Sequence, residues 1–129
     1  HTVAILGAGN LGRALMENFP FKSNGFRLVA AFDVDPELVG AQISGTPVYH
    51  VDELERRLRD EPVSVCVLTV PAGVAEPTAL RLARCGVTGI WNFTNVELPQ
   101  QDMPSVQIED VHFADSLLTL SYMISEEEP

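Results

Sequence analysis

Residues 7–12 read Gly-Ala-Gly-Asn-Leu-Gly, three glycines spaced so that each has a different task. Gly7 permits a tight turn, Gly9 lets a ligand approach bare backbone, and Gly12 lets the following helix pack close to a sheet. The first N–H groups of a helix have no intrahelical partner, and the helix dipole adds partial positive charge. Gly9, Asn10, Leu11 and Gly12 therefore suit a pair of phosphates. Asp33 follows 21 residues after Gly12, at the end of the next apolar run. Its carboxylate can accept hydrogen bonds from both ribose hydroxyls of a dinucleotide and repels a 2′-phosphate, which selects NAD(H) over NADP(H). Val34, beside it, is counted with the same site. Two plainer readings compete: a strand–helix turn that simply needs glycine, and a solvated turn acid in Asp33-Val34-Asp35-Pro36. Asp35 reads as a turn residue before Pro36. Arg13 suits either a phosphate or a solvated helix face.

The elements that must position these residues alternate. Val3-Ala4-Ile5-Leu6 is unbroken apolar, as expected of a parallel strand covered on both faces. Leu11, Ala14 and Leu15 recur at helical spacing until Pro20 stops the helix. Leu28 to Phe32, Pro47-Val48-Tyr49, Val63 to Val70, Gly89 to Phe93 and Val106-Gln107-Ile108 follow as strands. Asp52-Glu53-Leu54-Glu55 resembles a capping box opening a short helix with Leu54 and Leu58 on one face. Ala75, Ala79, Leu82 and Ala83 form another helical face, capped by Gly86. This alternation predicts βαβ units and a doubly wound, mainly parallel Rossmann-type α/β sheet, one dinucleotide-binding domain over residues 1–129. Thr69, Val70 and Pro71, and then Asn92, Phe93 and Thr94, end strands at the carboxyl edge where ligands of such sheets sit. The first three are expected on the nicotinamide-ribose side, with simple strand termination as the alternative for all six.

Composition narrows the classes. With 129 residues, 46% hydrophobic and 20% charged, the chain reads as one ordinary globular domain. Net charge is −10, and eight acidic residues but no Lys or Arg follow Arg84, so this domain alone should repel nucleic acid. Any DNA contact is expected from another domain. No run of 18 apolar residues exists, so no membrane contact is expected. The chain enters its first strand almost at His1, without a secretory signal, which suggests that something upstream was removed or that His1 is an added remnant. His1, His50 and His112 lack metal-ligand spacing, so no metal is expected. Cys66 and Cys85 read as unpaired thiols of a cytoplasmic protein. No proton donor, nucleophile or carboxylate pair can be assigned, so no catalytic residue is named. Around Asp115 to Ile124 the chain predicts a helix on which Leu117, Leu118, Leu120, Tyr122, Met123 and Ile124, with Phe113 just before it, cover most of the circumference. Such a helix asks for burial, in a homodimer or on its own sheet.

Several segments together resemble the redox-sensing transcriptional repressors of the Rex family. They are Ile5 to Leu15, Phe32-Asp33-Val34-Asp35-Pro36, Leu68-Thr69-Val70-Pro71, Gly89-Ile90-Trp91-Asn92-Phe93, and Val111-His112-Phe113 leading to Leu117–Tyr122. The first two are shared with many oxidoreductases; the last three are more specific. The resemblance implies a homodimeric sensor of the NADH/NAD⁺ balance. In it, NADH binding turns off operator binding by an N-terminal winged-helix domain, and the terminal helix is exchanged between subunits. No winged-helix segment is in this chain, which reads as a fragment or as a relative that cannot bind DNA alone. Asn95 stands where the family usually has Pro, and His112 where it usually has Asp. The rival readings are the nucleotide domain of an NAD(P)-dependent dehydrogenase and a CoA-binding domain.

Overall fold

Strand β1 (Thr2–Leu6) has Val3 to Leu6 fully buried, and its side chains alternate between two layers: Val3 and Ile5 one way, Ala4 and Leu6 the other. A strand covered on both faces belongs at the centre of a sheet. In the computed structural model, which describes residues 1–111, that is its place. The other strands are β2 (Arg27–Asp33), β3 (Gln42–Ile43), β4 (Thr46–His50), β5 (Val65–Leu68), β6 (Gly89–Asn92) and β7 (Gln107–Asp110). The sheet order is β3-β4-β2-β1-β5-β6-β7, every pair parallel except β3 with β4. The chain runs outward from β1 through β2 to β4, then returns to the opposite side of β1 with β5. The strand order therefore reverses between β1 and β5, and the expected doubly wound α/β architecture is present.

Helices cover both faces. Helix α1 (Asn10–Asn18) lays Met16 and the half-buried Leu15, followed by Phe19, on a layer with Val3, Ile5, Ala31, Val48 and Val67. Helices α2 (Leu54–Asp60) and α3 (Ala72–Arg84) bury Leu54, Leu58, Ala75, Ala79 and Leu82 on the other face. Cys66, completely buried there, has its thiol pushed up by burial, and it and Cys85 are free. Gly86 ends α3 at φ +86°: its N–H donates to Ala83 O at 3.1 Å and that of Val87 to Leu82 O at 3.3 Å, the predicted glycine cap. Among the described residues no helix is long and apolar enough to cross a membrane.

Local departures from the sequence reading have physical causes. Ala14 is exposed, because Gly12 and Met16 carry the buried stripe of α1. The helix ends at Asn18, with Phe19 extended before Pro20. No capping box forms at residues 52–55. His50 Nδ1 accepts from the Asp52 N–H at 3.0 Å and opens a 3-10 turn, Val51–Glu53, while Glu55 pairs with Arg81 at 2.7 Å. Strand β5 is shorter than Val63–Val70, stopping at Leu68, and β7 extends to Asp110. The β3–β4 hairpin was not foreseen. Its two-residue turn, Ser44 (φ 49°) and Gly45 (φ +81°), has the positive φ at both central residues that a tight hairpin turn requires, and lacks the usual Asn or Asp before Gly. The helix expected over Asp115 to Ile124, with Phe113 and His112, lies outside the described residues.

These faces separate by mutation. Leu82→Ala should lower the unfolding free energy in urea by about 2–5 kcal/mol. Ala14→Lys, on the exposed side of α1, should change it by less than about 0.5 kcal/mol. A large cost at Ala14 would put the buried stripe of α1 elsewhere.

Candidate functional site

The glycine turn leaves β1 at the point where strand order reverses. Gly7 has φ +100°, a conformation that favours glycine, and a Cβ there would meet Thr69 Oγ1 at 2.8 Å and the Thr69 carbonyl at 2.9 Å. A Cβ on Gly12 would sit 1.8 Å from the Gly7 oxygen, so α1 packs directly over the turn only because residue 12 has no side chain. Gly9 differs: nothing lies within 4 Å of its missing Cβ. It is the exposed N-cap of α1, without a side-chain cap, and the first turn of the helix carries no acidic residue. Open space over unpartnered N–H groups, with no acidic residue in the first turn of the helix, fits a phosphate pair.

Asp33 ends β2 beside this turn. Its Oδ2 accepts from the Ala8 N–H at 2.7 Å, and its Oδ1 accepts from the N–H groups of Val34 at 2.7 Å and Asp35 at 2.9 Å. The sequence offered a ribose acceptor or a turn acid. The structure gives Asp33 the turn geometry and adds a bond to the glycine turn. A carboxylate has about four acceptor sites, so roughly one stays open, not enough for full bonds to both ribose hydroxyls at once. Val34 is 65% exposed next to it. Asp35 is a turn residue as expected, its Oδ1 accepting from the Glu37 N–H at 2.9 Å. Arg13 is on the solvated face, paired with Glu17 at 2.9 Å.

The carboxyl ends of β5 and β6 hold the other predicted residues. Thr69 turns its hydroxyl inward to the carbonyls of Gly7 (2.7 Å) and Leu6 (3.0 Å). Val70 is half-buried, and exposed Pro71 stands at the N-cap position of α3 without a capping hydrogen bond. Asn92 is buried and spends its side chain internally. Its Nδ2 donates to Val96 O and Asp110 Oδ1, both at 2.8 Å, and its Oδ1 accepts from the N–H (3.0 Å) and hydroxyl (2.6 Å) of Thr94. Phe93 stacks edge-on against Trp91, with centroids 4.7 Å apart. Asn92, Phe93 and Thr94 thus close the carboxyl end of β6, one strand beyond the switch point, and the polar side chains of Asn92 and Thr94 are already engaged. A cavity of about 350 Å³ opens at the carboxyl ends of β6 and β7, lined by Asn92, Asn95, Glu97 and Asp110. Sequence reasoning missed Asp110, whose tie to Asn92 arises only when β6 and β7 pair. It also missed His50, opposite Asp33 in the β2–β4 register, although both residues end a strand at the same edge.

A family model described as "CoA binding domain" matches residues 1–96. The chain belongs to that family. Over nearly its whole length the chain is similar to curated proteins named redox-sensing transcriptional repressor Rex. The protein of Caldicellulosiruptor saccharolyticus is 44% identical over 95% of this chain and 55% of its own length. That of Lactobacillus acidophilus is 41% identical over 98% of this chain and 59% of its own. The chain thus spans between half and three-fifths of these relatives. Among solved structures, RSP, a Rex-family repressor, superposes with a TM-score of 0.84 at 38% identity, covering 98% of this chain and 60% of that one. RSP has been solved with β-NADH, and with β-NAD⁺ and operator DNA. The Rex resemblance read from the residue segments is borne out.

The glycines should separate in stability. Gly12→Ala forces a methyl onto a carbonyl and should cost about 3 kcal/mol in urea unfolding. Gly9→Ala, with open space at φ −72°, should cost less than about 1 kcal/mol. The reverse ranking would contradict the packing of α1 on the turn.

Proposed function

We propose that this chain is the NADH/NAD⁺-sensing domain of a redox-responsive transcriptional repressor, one dinucleotide-binding unit over residues 1–129. The observation that carries the reading is the glycine turn at the switch point, with Asp33 bonded to it and bare space at Gly9. The backbone N–H groups of Gly9, Asn10, Leu11 and Gly12 would hold the pyrophosphate, and Gly7 shapes the turn beneath it. Asp33 would accept from a ribose hydroxyl at its open acceptor site and repel a 2′-phosphate. Val34 offers an apolar surface to the adenine. Val70 and Pro71 border the nicotinamide side, with Asn92, Phe93 and Thr94 as its wall. The cofactor, when bound, supplies a redox state to be read, and the chain's residues bind and orient it.

The relatives carry the names of repressors, and no residue of this site is assigned a proton-transfer role. The chain is therefore read as a sensor that binds NADH without turning it over. DNA would be held by a winged-helix domain outside this chain, in the cytoplasm. The dimer reading rests on the apolar residues from Phe113 to Ile124, whose burial in a second copy would remove them from water. A second reading is CoA binding, favoured by the description of the family model.

Titration of NADH fluorescence tests the first reading. NADH should bind at least about tenfold tighter than NADPH, a difference of roughly 1.4 kcal/mol, and tighter than CoA. Asp33→Asn should weaken NADH by about 1–3 kcal/mol and narrow the gap to NADPH. Gly9→Ala should lose affinity despite near-normal stability. Equal affinity for NADPH would remove the assigned role of Asp33, and preference for CoA would favour the second reading. Steady NADH oxidation with a carbonyl substrate would make the protein a dehydrogenase. Light scattering should return a dimer for the chain at micromolar concentration, and a clean monomer would remove the proposed interface.

A further inference from the structure

The peptide joining Gly7 to Ala8 is gripped at both ends. Its N–H, from Ala8, donates to Asp33 Oδ2 at 2.7 Å. Its carbonyl, from Gly7, accepts from the hydroxyl of Thr69 at 2.7 Å. The same hydroxyl lies 3.0 Å from the Leu6 carbonyl, and the Thr69 N–H bonds that carbonyl at 2.9 Å, so the Thr69 backbone is itself anchored to β1. The Gly7 oxygen is wedged between this hydroxyl and the α-carbon of Gly12. A hydroxyl so placed faces the turn.

We propose that Thr69 is a positioning residue: it fixes the Gly7 carbonyl, and through it the turn whose N–H groups receive the pyrophosphate, instead of touching the nicotinamide ribose. The proposal rests on the dinucleotide reading above. It names a distinct part of the ligand: loss of the hydroxyl should be felt by anything carrying the diphosphate and not by the nucleoside alone. An isosteric Val keeps the volume of Thr and leaves the Gly7 carbonyl without its donor. Ser keeps the donor.

The test is calorimetric titration of the whole chain and its variants with NADH, ADP and adenosine, alongside thermal unfolding. Thr69→Val should weaken NADH and ADP by the same factor, about tenfold, leave adenosine unchanged within about twofold, and be restored by Thr69→Ser. If Thr69→Val does not fold, Thr69→Ala against Thr69→Ser gives the same comparison. Loss with NADH alone would mean that the hydroxyl contacts the nicotinamide half, and overturns the proposal. Equal loss with all three ligands would mean general damage to the fold, and also overturns it, as would no loss at all. If the unaltered chain binds adenosine and CoA but neither NADH nor ADP, the dinucleotide reading itself fails and takes this proposal with it.

Discussion

One peptide unit organises the site. The Gly7–Ala8 amide is held by a carboxylate from β2 and a hydroxyl from just past β5, the two strands that flank β1. Gly7 adds a third tie, its own N–H donating to Phe32 O at 2.8 Å. A left-handed residue at the end of a buried strand has few neighbours able to satisfy its polar groups, and an unpaired buried amide costs more than an ordinary hydrogen bond contributes. Here each group has a partner: Phe32 and Asp33 from β2 for the two N–H groups, and Thr69 from just past β5 for the carbonyl. The turn therefore keeps its shape only while β2, β1 and β5 stay in register.

That dependence explains why the sheet order matters more than any single element. Asp33 is 25 residues from Ala8, and Thr69 is 62 residues from Gly7. They meet because the chain winds outward through β2 and β4 and comes back on the far side of β1. The reversal leaves the ends of β1 and β5 without a crossover helix between them, which is where a ligand has room. Gly12 then brings α1 down onto the turn, so the N–H groups of the helix sit above the amide that the two side chains hold.

The parts of this arrangement legible in the sequence were those set by local pattern. The three glycines, the acid after the second apolar run and the continuous strands β1 and β5 each announce themselves through spacing or composition. What stayed hidden depends on neighbours distant in sequence. Nothing around Thr69 tells whether its hydroxyl faces the ligand or the turn, because the Gly7 carbonyl reaches it only through β1–β5 pairing. Asn92 read as an edge residue facing a ligand, but its amide is spent on Thr94, Val96 and Asp110. Asp52 had the composition of a cap, yet the His50 imidazole two residues earlier took its N–H. Ala14 fitted the helical period as well as Met16 does, and only the close approach at Gly12 rotates α1 to bury one and expose the other.

The two-ended grip also divides the energetics between folding and binding. A flexible glycine-rich turn would have to be ordered by its ligand, at a cost of about 1–2 kcal/mol for each residue fixed. Here that ordering is part of forming the sheet, since the groups that hold the turn are themselves strand ends. The affinity of a ligand seated there would then reflect contacts made on a surface already set, the general advantage of preorganisation. Asp33 has the most constrained position in this scheme. Three of its acceptor sites serve the protein, one of them the turn itself, and about one remains open. A group that bonds there meets a carboxylate already fixed in direction by three N–H donors, so it pays little in side-chain ordering. A second negative charge brought to the same place meets a carboxylate that cannot swing away.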